Sequence, residues 1–313
     1  MLAVFEQTLA VTAPVFSMLF LGVALKRLNI IDDTFIQAAS NLVFKISLPA
    51  LLFLSILHAD LSTALNPKVL GYFTVATVLG FALAWLWAIW RVPKADRGVY
   101  VQGSFRGNNG VVGLALATSL YGDYGLSLGG VLGGLVILLY NSLSVVVLEY
   151  YRGGGHVRLG AMLKSMLLNP LMLGVLAAIP FAYFGIKLPA WMDQSGQYLA
   201  DLALPLALIC IGGTLTLTSL KASGLTALSA SAMKMLILPF LGTLGAWALG
   251  FRGADLGVLF LYFASPTAAA SYVMARAAGA NHELAAAIIV LTTLAAVVTT
   301  NLGLLLLQAY QWI

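Results

Sequence analysis

Two apolar segments of the chain carry helix-breaking or polar residues near their centres. The first contains Arg106, Gly107, Asn108 and Asn109, and the second contains Ser265, Pro266 and Thr267. A peptide group without a hydrogen bond is costly in hydrocarbon, so a broken membrane helix needs protein or water to satisfy its backbone. A matched pair of broken helices in two halves of one chain is typical of a transporter's binding site.

The residue types at these breaks favour an anionic ligand. A helix N-terminus carries about half a positive charge and attracts anions. Asn108, Asn109 and Thr267 add side chains that can hydrogen-bond a carboxylate. Gly107 lets the backbone bend and lets a ligand approach closely, whereas Pro266 removes an N–H and interrupts its helix. We therefore predict that Ser265 and these residues form a substrate-binding site.

Ionisable residues inside the predicted spans are the next candidates, because charge in a membrane is costly and marks functional sites. They are Lys45, Arg106, Asp201 and Lys234. Three cations against one acid again favour an anionic substrate. Arg106 abuts the first break and is expected to balance the ligand's charge. Lys45 and Asp201 are candidates for charge or proton coupling, and whether they pair is left open. Lys234 is expected to snorkel to the cytoplasmic surface.

The composition places the chain in a membrane. Hydrophobic residues make up 61% and charged residues 9% of its 313 residues, whereas soluble domains carry about 25% charged residues. The net charge is +5, and the basic residues lie in short loops. They form no basic run interleaved with aromatic residues, so nucleic-acid binding is not expected. The sequence has no zinc-protease motif and no phosphate-binding P-loop. No enzymatic activity, cofactor or metal is predicted.

Runs of about 20 apolar residues predict ten membrane helices. Their predicted limits are 4–25, 34–58, 67–90, 98–121, 125–150, 162–184, 192–218, 225–249, 254–278 and 283–310. The basic residues of the loops are concentrated on one side. That side carries Lys26, Arg27, Arg91, Lys94, Arg97, Arg152, Arg158, Lys164, Lys221 and Arg276, and the other carries Lys68, Lys187 and Arg252. The positive-inside rule therefore predicts that the first side is cytoplasmic and that both termini lie outside the cytoplasm. The expected location is the plasma (inner) membrane.

The spacing of prolines and breaks predicts an internal repeat. Pro14 and Pro170 lie 156 residues apart, as do Pro49 and Pro205. Asn108 and Pro266, at the two breaks, lie 158 apart. Because five helices per half is an odd number, the second half must run inverted. We predict repeats over 1–155 and 156–313, with the two broken helices crossing near the bilayer midplane.

Several stretches, in this order, resemble the auxin efflux carrier family, which includes the plant PIN exporters and many bacterial membrane transport proteins. The matching stretches are 42–44, 48–53, 104–108, 113–114, 169–171, 211–213 and 265–268. The resemblance spans essentially the whole chain. It implies an all-α polytopic fold like that of NhaA and bile-acid transporters, with ten transmembrane helices in a five-plus-five inverted repeat and two broken crossover helices.

The resemblance also implies a mechanism and a site. Helices one, two, six and seven would form a scaffold, through which a homodimer assembles, and helices three to five and eight to ten a mobile transport domain that moves as an elevator. In PIN proteins a proline–asparagine pair at the first crossing contacts substrate. The asparagine matches Asn108, but Gly107 stands in place of the proline. Carriers of this family transport organic anions, auxin-like or malonate-like.

The leading hypothesis is a secondary active transporter of small organic anions in the lipid bilayer, with proton coupling as one option. A sodium-coupled symporter of related fold is the nearest alternative. Several carboxylate or carbonyl oxygens would be needed for a sodium site, and the membrane segments offer one acid, Asp201. A membrane receptor or partner-binding scaffold that transports nothing is an alternative of another class, which the short loops disfavour.

Overall fold

The computed structural model describes residues 2–58, 66–152, 168, 170–214, 220–268 and 270–313. Parts of the predicted organisation lie outside these residues. They include the basic loop residues Arg158 and Lys164 and most of residues 162–169, with which the sixth predicted span begins. They also include residues 215–218 at the end of the seventh span and Ala269 in the second break.

The described chain is helical almost throughout. In chain order its helices are α1 (Leu2–Arg27), α2 (Asp33–His58), α3 (Pro67–Arg91), α4 (Arg97–Phe105), α5 (Asn109–Tyr151), α6 (Pro170–Phe184), α7 (Ala190–Thr214), α8 (Gly224–Ala248), α9 (Gly253–Phe263), α10 (Ala270–Ala277) and α11 (His282–Ala309). Within the described residues β-type pairing is limited to one isolated bridge, Gly107 with Thr267. The predicted all-α class is therefore confirmed for the described part of the chain.

Six of the described helices are long and apolar enough to cross a membrane, namely α2, α3, α5, α7, α8 and α11. Helices α4, α9 and α10 are shorter because they are the pieces of the two segments that were predicted to break. Where the chain is described, the helix ends lie within a few residues of the predicted limits. The ten crossings and the inverted repeat stay predictions.

Both predicted interruptions are present. Helix α4 ends at Phe105 and α5 begins at Asn109, while α9 ends at Phe263 and α10 begins at Ala270. A further bend divides α5 at Gly122, whose φ of 55° and ψ of −135° suit glycine best. The first broken segment therefore ends at this bend, between the predicted spans 98–121 and 125–150.

Among the described residues, widened helical turns occur at three places that sequence patterns did not predict. These π-helical turns are Val43–Ser47, Asn109–Gly113 and Met233–Ile237. Two of them precede Pro49 and Pro239. Proline has no N–H, and its ring displaces the carbonyl of the preceding turn, so a wider turn relieves the clash.

The helices pack in two groups. Helix α1 packs mainly on α7, and α2 packs on α6 and α7. In the other group α3 packs on α4, α4 on α5, and α8 on α9 and α11. The largest buried apolar cluster belongs mostly to this second group, with Phe73 of α3, Leu132 of α5 and Ile288 of α11 among its members. The two interruptions lie within the second group, so its core positions them.

Candidate functional site

The two interruptions meet and satisfy each other's backbone. The Asn108 N–H donates to the Pro266 carbonyl at 2.6 Å, and the Ala268 N–H donates to the Arg106 carbonyl at 3.2 Å. Gly107 and Thr267 form the antiparallel bridge between these two bonds. Freed backbone groups in an apolar interior need such partners. At this crossing the backbone groups of the two breaks therefore satisfy one another.

Asn108 uses its backbone to build the crossing and keeps its side chain free. Its φ of −84° and ψ of 55° lie outside the helical region, and its carbonyl accepts the Val112 N–H at 2.9 Å. The side chain does not cap the following helix and is partly exposed. Among the described residues it has no hydrogen-bond partner. Its amide is thus available to a ligand at the start of α5.

Asn109 and Arg106 are buried beside the crossing with part of their hydrogen-bonding capacity unused. The Asn109 Nδ2 donates to the Tyr140 hydroxyl over a long 3.4 Å, and the Arg106 Nη1 donates to the Ser144 Oγ at 3.2 Å. The Asn109 Oδ1 and the Arg106 Nε find no partner in the described part of the chain. Unpaired buried groups of this kind favour a polar or charged ligand.

Gly107 is needed for space. A Cβ at this position would collide with the Asn109 Oδ1 and would lie 3.1 Å from the Lys234 Nζ. Its φ is not positive, so no left-handed conformation requires glycine here. The interpretation of Gly107 as a bending point is therefore incomplete, since the close approach of two polar side chains explains the missing Cβ directly.

Lys234 lies at the back of the crossing, and the prediction that it snorkels to the cytoplasmic surface is wrong. Its side chain is 2% exposed, and its Nζ donates to the Phe263 carbonyl at 3.0 Å. Phe263 is the last residue of α9, so the ammonium sits at the negative end of that half-helix. Among the described residues no carboxylate lies within ion-pair distance of Lys234.

The side chains of the second break are engaged within the protein. The Thr267 hydroxyl donates to the Gly103 carbonyl at 2.7 Å, and the Thr267 N–H donates to the Thr292 Oγ1 at 3.0 Å. The Ser265 hydroxyl donates to the Leu261 carbonyl at 2.8 Å. Pro266 contributes its carbonyl to the Asn108 N–H. These residues line the crossing as predicted, but their contacts hold it together and leave less for a ligand.

Lys45 and Asp201 lie away from the crossing contacts. Both side chains are exposed on the protein surface, Lys45 within the π-helical turn of α2 and Asp201 on α7. The Asp201 Oδ1 accepts a hydrogen bond from the Gln197 Nε2 at 2.8 Å. No ion pair joins Lys45 to Asp201 in the structure described here. Their part in coupling stays a prediction.

A family model described as membrane transport protein matches residues 8–159 and 156–303. The chain belongs to this family. The resemblance to auxin efflux carriers is thereby confirmed. An uncharacterized transporter of Methanothermobacter thermautotrophicus is 26% identical over 261 residues, covering 82% of this chain and 84% of the relative. An uncharacterized transporter of Methanocaldococcus jannaschii is 24% identical over 313 residues, covering 95% of each chain.

In this family member, sequence reasoning missed two residues of the crossing and misplaced a third. Tyr140 and Ser144 stand one helical turn apart on α5 and contact Asn109 and Arg106. Their spacing of four residues places both side chains on one helix face, and this spacing could have identified them from the sequence. Lys234 was a candidate but was placed wrongly. Its position along the helix predicted a surface location, whereas the helix face on which it lies is directed into the protein. Within the described residues no group of three His, Cys, Asp or Glu side chains could hold a metal.

Proposed function

We propose that the protein is a secondary active transporter of small organic anions and that substrate binds at the crossing. One observation carries the proposal. Among the described residues, the Asn108 side chain at the crossing has no hydrogen-bond partner, and two buried cations, Arg106 and Lys234, have no carboxylate partner. Uncompensated buried positive charge is costly in an apolar surrounding. An organic anion would supply the missing charge, with Asn108 holding its carboxylate.

The proposed architecture is ten membrane spans in two inverted halves, 1–155 and 156–313. The reciprocal bonds from Asn108 to Pro266 and from Ala268 to Arg106 support it, because inverted repeats bring their broken helices together. The half-helix N-termini at Asn109 and Ala270 then add positive potential from two directions.

The proposed motion is an elevator in which α3–α5 and α8–α11 move against a scaffold of α1, α2, α6 and α7. The packing of these helices in two groups supports this division. The mobile group would carry the crossing, and the scaffold would form a homodimer in the inner membrane, with both termini outside the cytoplasm. Proton coupling through Lys45 and Asp201 belongs to the same proposal.

Uptake by proteoliposomes tests the transport proposal. Purified protein is reconstituted, and radiolabelled malonate and indole-3-acetate are offered against a preloaded unlabelled pool of the same compound. We expect exchange of at least one of them. Asn108→Ala should lower that exchange about tenfold or more, because a hydrogen bond to a charged group is lost. Asn41→Ala is the matched control, since Asn41 is exposed on α2.

The rival functions give different results in the same vesicles. Exchange unchanged by Asn108→Ala would refute the site. Substrate-dependent sodium flux that is lost in Asp201→Asn would support the sodium symporter. Saturable anion binding with no movement across the bilayer would support the receptor. The proposal instead expects exchange that persists when choline replaces sodium.

A further inference from the structure

A cavity of about 330 Å³ lies between α3 and α8 and ends inside the protein beside the crossing. Its wall is mostly apolar, and it includes Leu83, Leu238 and Phe263. At the inner end stand the side chains of Tyr140 and Lys234. The volume is at the lower end of the range for small-molecule sites, about 300–1,000 Å³. The space therefore suits a small, mainly apolar molecule.

The outer end of this cavity opens at the protein surface between two membrane-spanning helices. Val75 and Leu79 of α3 and Leu241 of α8 line it, and all three are exposed apolar side chains. Exposed apolar residues on helices long enough to span a bilayer face hydrocarbon. A ligand would thus enter from the lipid and would need an apolar body.

The inner end adds one positive charge and unused hydrogen-bonding groups. An ammonium has three donors, and among the described residues Lys234 donates one hydrogen bond, to the Phe263 carbonyl. Thr77 lines the same cavity, and its buried hydroxyl has no partner among the described residues. An anion at this point would pair with Lys234 and could accept from Thr77. One cation matches one negative charge.

We propose that this lateral cavity binds a monocarboxylate with an apolar tail, the carboxylate against Lys234 and the tail between α3 and α8. The site does not include Asn108, which does not line the cavity, but it shares Lys234 with the proposed substrate site. Its ligand is an amphipathic acid dissolved in the membrane. The proposal concerns binding and does not depend on transport.

Octanoate is a suitable probe. Saturable binding of radiolabelled octanoate to the purified full-length protein in lipid nanodiscs is measured, with empty nanodiscs as background. Lys234→Met, which keeps the length and removes the charge, should weaken binding about tenfold or more. Octanol, which has the same tail and no charge, should compete poorly with octanoate in the unmodified protein.

A second pair of variants tests the cavity without touching the charge. Gly80 lines the cavity, and a Cβ there would lie 3.4 Å from Leu238, so Gly80→Leu should fill the space and weaken octanoate binding by a similar factor. Gly71→Leu on the same helix is the matched control, because nothing lies within 4 Å of its Cβ position.

Three results would overturn the proposal. They are no saturable octanoate binding, binding unchanged in both Lys234→Met and Gly80→Leu, and binding weakened by Lys234→Met alone. The last result would place the anion at the crossing itself. If Lys234→Met does not give monodisperse protein, Gly80→Leu against Gly71→Leu still decides whether the cavity is the site. Because no transport is measured, failure here and failure of the transport proposal are separate results.

Discussion

The two breaks meet at one point, but their side chains differ in what they contact. At the first break Asn108 has a free amide, and buried Arg106 and Asn109 keep unpaired atoms. At the second break the hydroxyls of Ser265 and Thr267 donate hydrogen bonds to backbone carbonyls of the protein. The first break therefore has the means to recognise a ligand, whereas the second has the means to hold the crossing together. Two breaks that meet at one crossing can thus divide recognition and support.

The largest effect is expected where the first break has no spare volume. Gly107→Val should abolish transport and lower the free energy of unfolding by about 1–3 kcal/mol or more, as overpacking does. Its side chain would press on the Asn109 Oδ1 and the Lys234 Nζ. Gly110→Val at the next turn is the control, because nothing lies within 4 Å of its Cβ position. Equal losses of transport and of unfolding free energy in both variants would show that the β-branched side chain alone is responsible.

The chain offers its own probe for such stability measurements. Cys210 is the one cysteine of the sequence, and it is buried. A thiol-reactive fluorophore therefore reports unfolding as the protein is heated, and the midpoint gives Tm for each variant in detergent.

The next largest effect should follow from the support role of the second break. Thr267→Val keeps the shape of the side chain and leaves the Gly103 carbonyl without its hydroxyl donor. We expect the free energy of unfolding to fall by about 1–3 kcal/mol, seen as a lower Tm with the thiol probe. A Thr267→Val protein of unchanged Tm but greatly reduced substrate affinity would reverse the assigned roles.

A smaller effect is expected at Ser265. Its hydroxyl donates to the Leu261 carbonyl one turn earlier, a local bond that contributes little to helix stability. Ser265→Ala should change the free energy of unfolding by less than about 1 kcal/mol and leave substrate exchange within a few fold of the unmodified protein. A loss as large as that of Thr267→Val would mean that Ser265 contributes to the site beyond this bond.

Patterns along the chain predicted the framework of the molecule, because helix length and interruption depend on local residues. The breaks around Asn108 and Pro266 and the helical class followed from apolar runs, glycine and proline. What a side chain faces depends on how helices rotate against one another. For this reason the expected surface position of Lys234 was wrong, since its side chain is buried. Thr267 was expected to bind substrate, but its hydroxyl already donates to the Gly103 carbonyl.

The same limit applies to Gly107 and to the cavity. Gly107 was interpreted through backbone bending. Part of its crowding comes from Lys234, which lies on another helix far along the chain, so that contact could not be anticipated. The cavity between α3 and α8 arises from packing. Its one charged member, Lys234, lies far along the chain from the lining residues Thr77 and Gly80 of α3 and belongs to no sequence motif. Contacts between distant segments decide both features.

The most direct test of the central claim compares Asn108→Ala with Thr267→Val in one preparation, with exchange and Tm measured on each. The account predicts that Asn108→Ala lowers substrate exchange about tenfold or more at an unchanged Tm, while Thr267→Val lowers Tm. Unchanged exchange in Asn108→Ala, or a Tm loss in it equal to that of Thr267→Val, would contradict the claim that the first break recognises substrate and the second supports it.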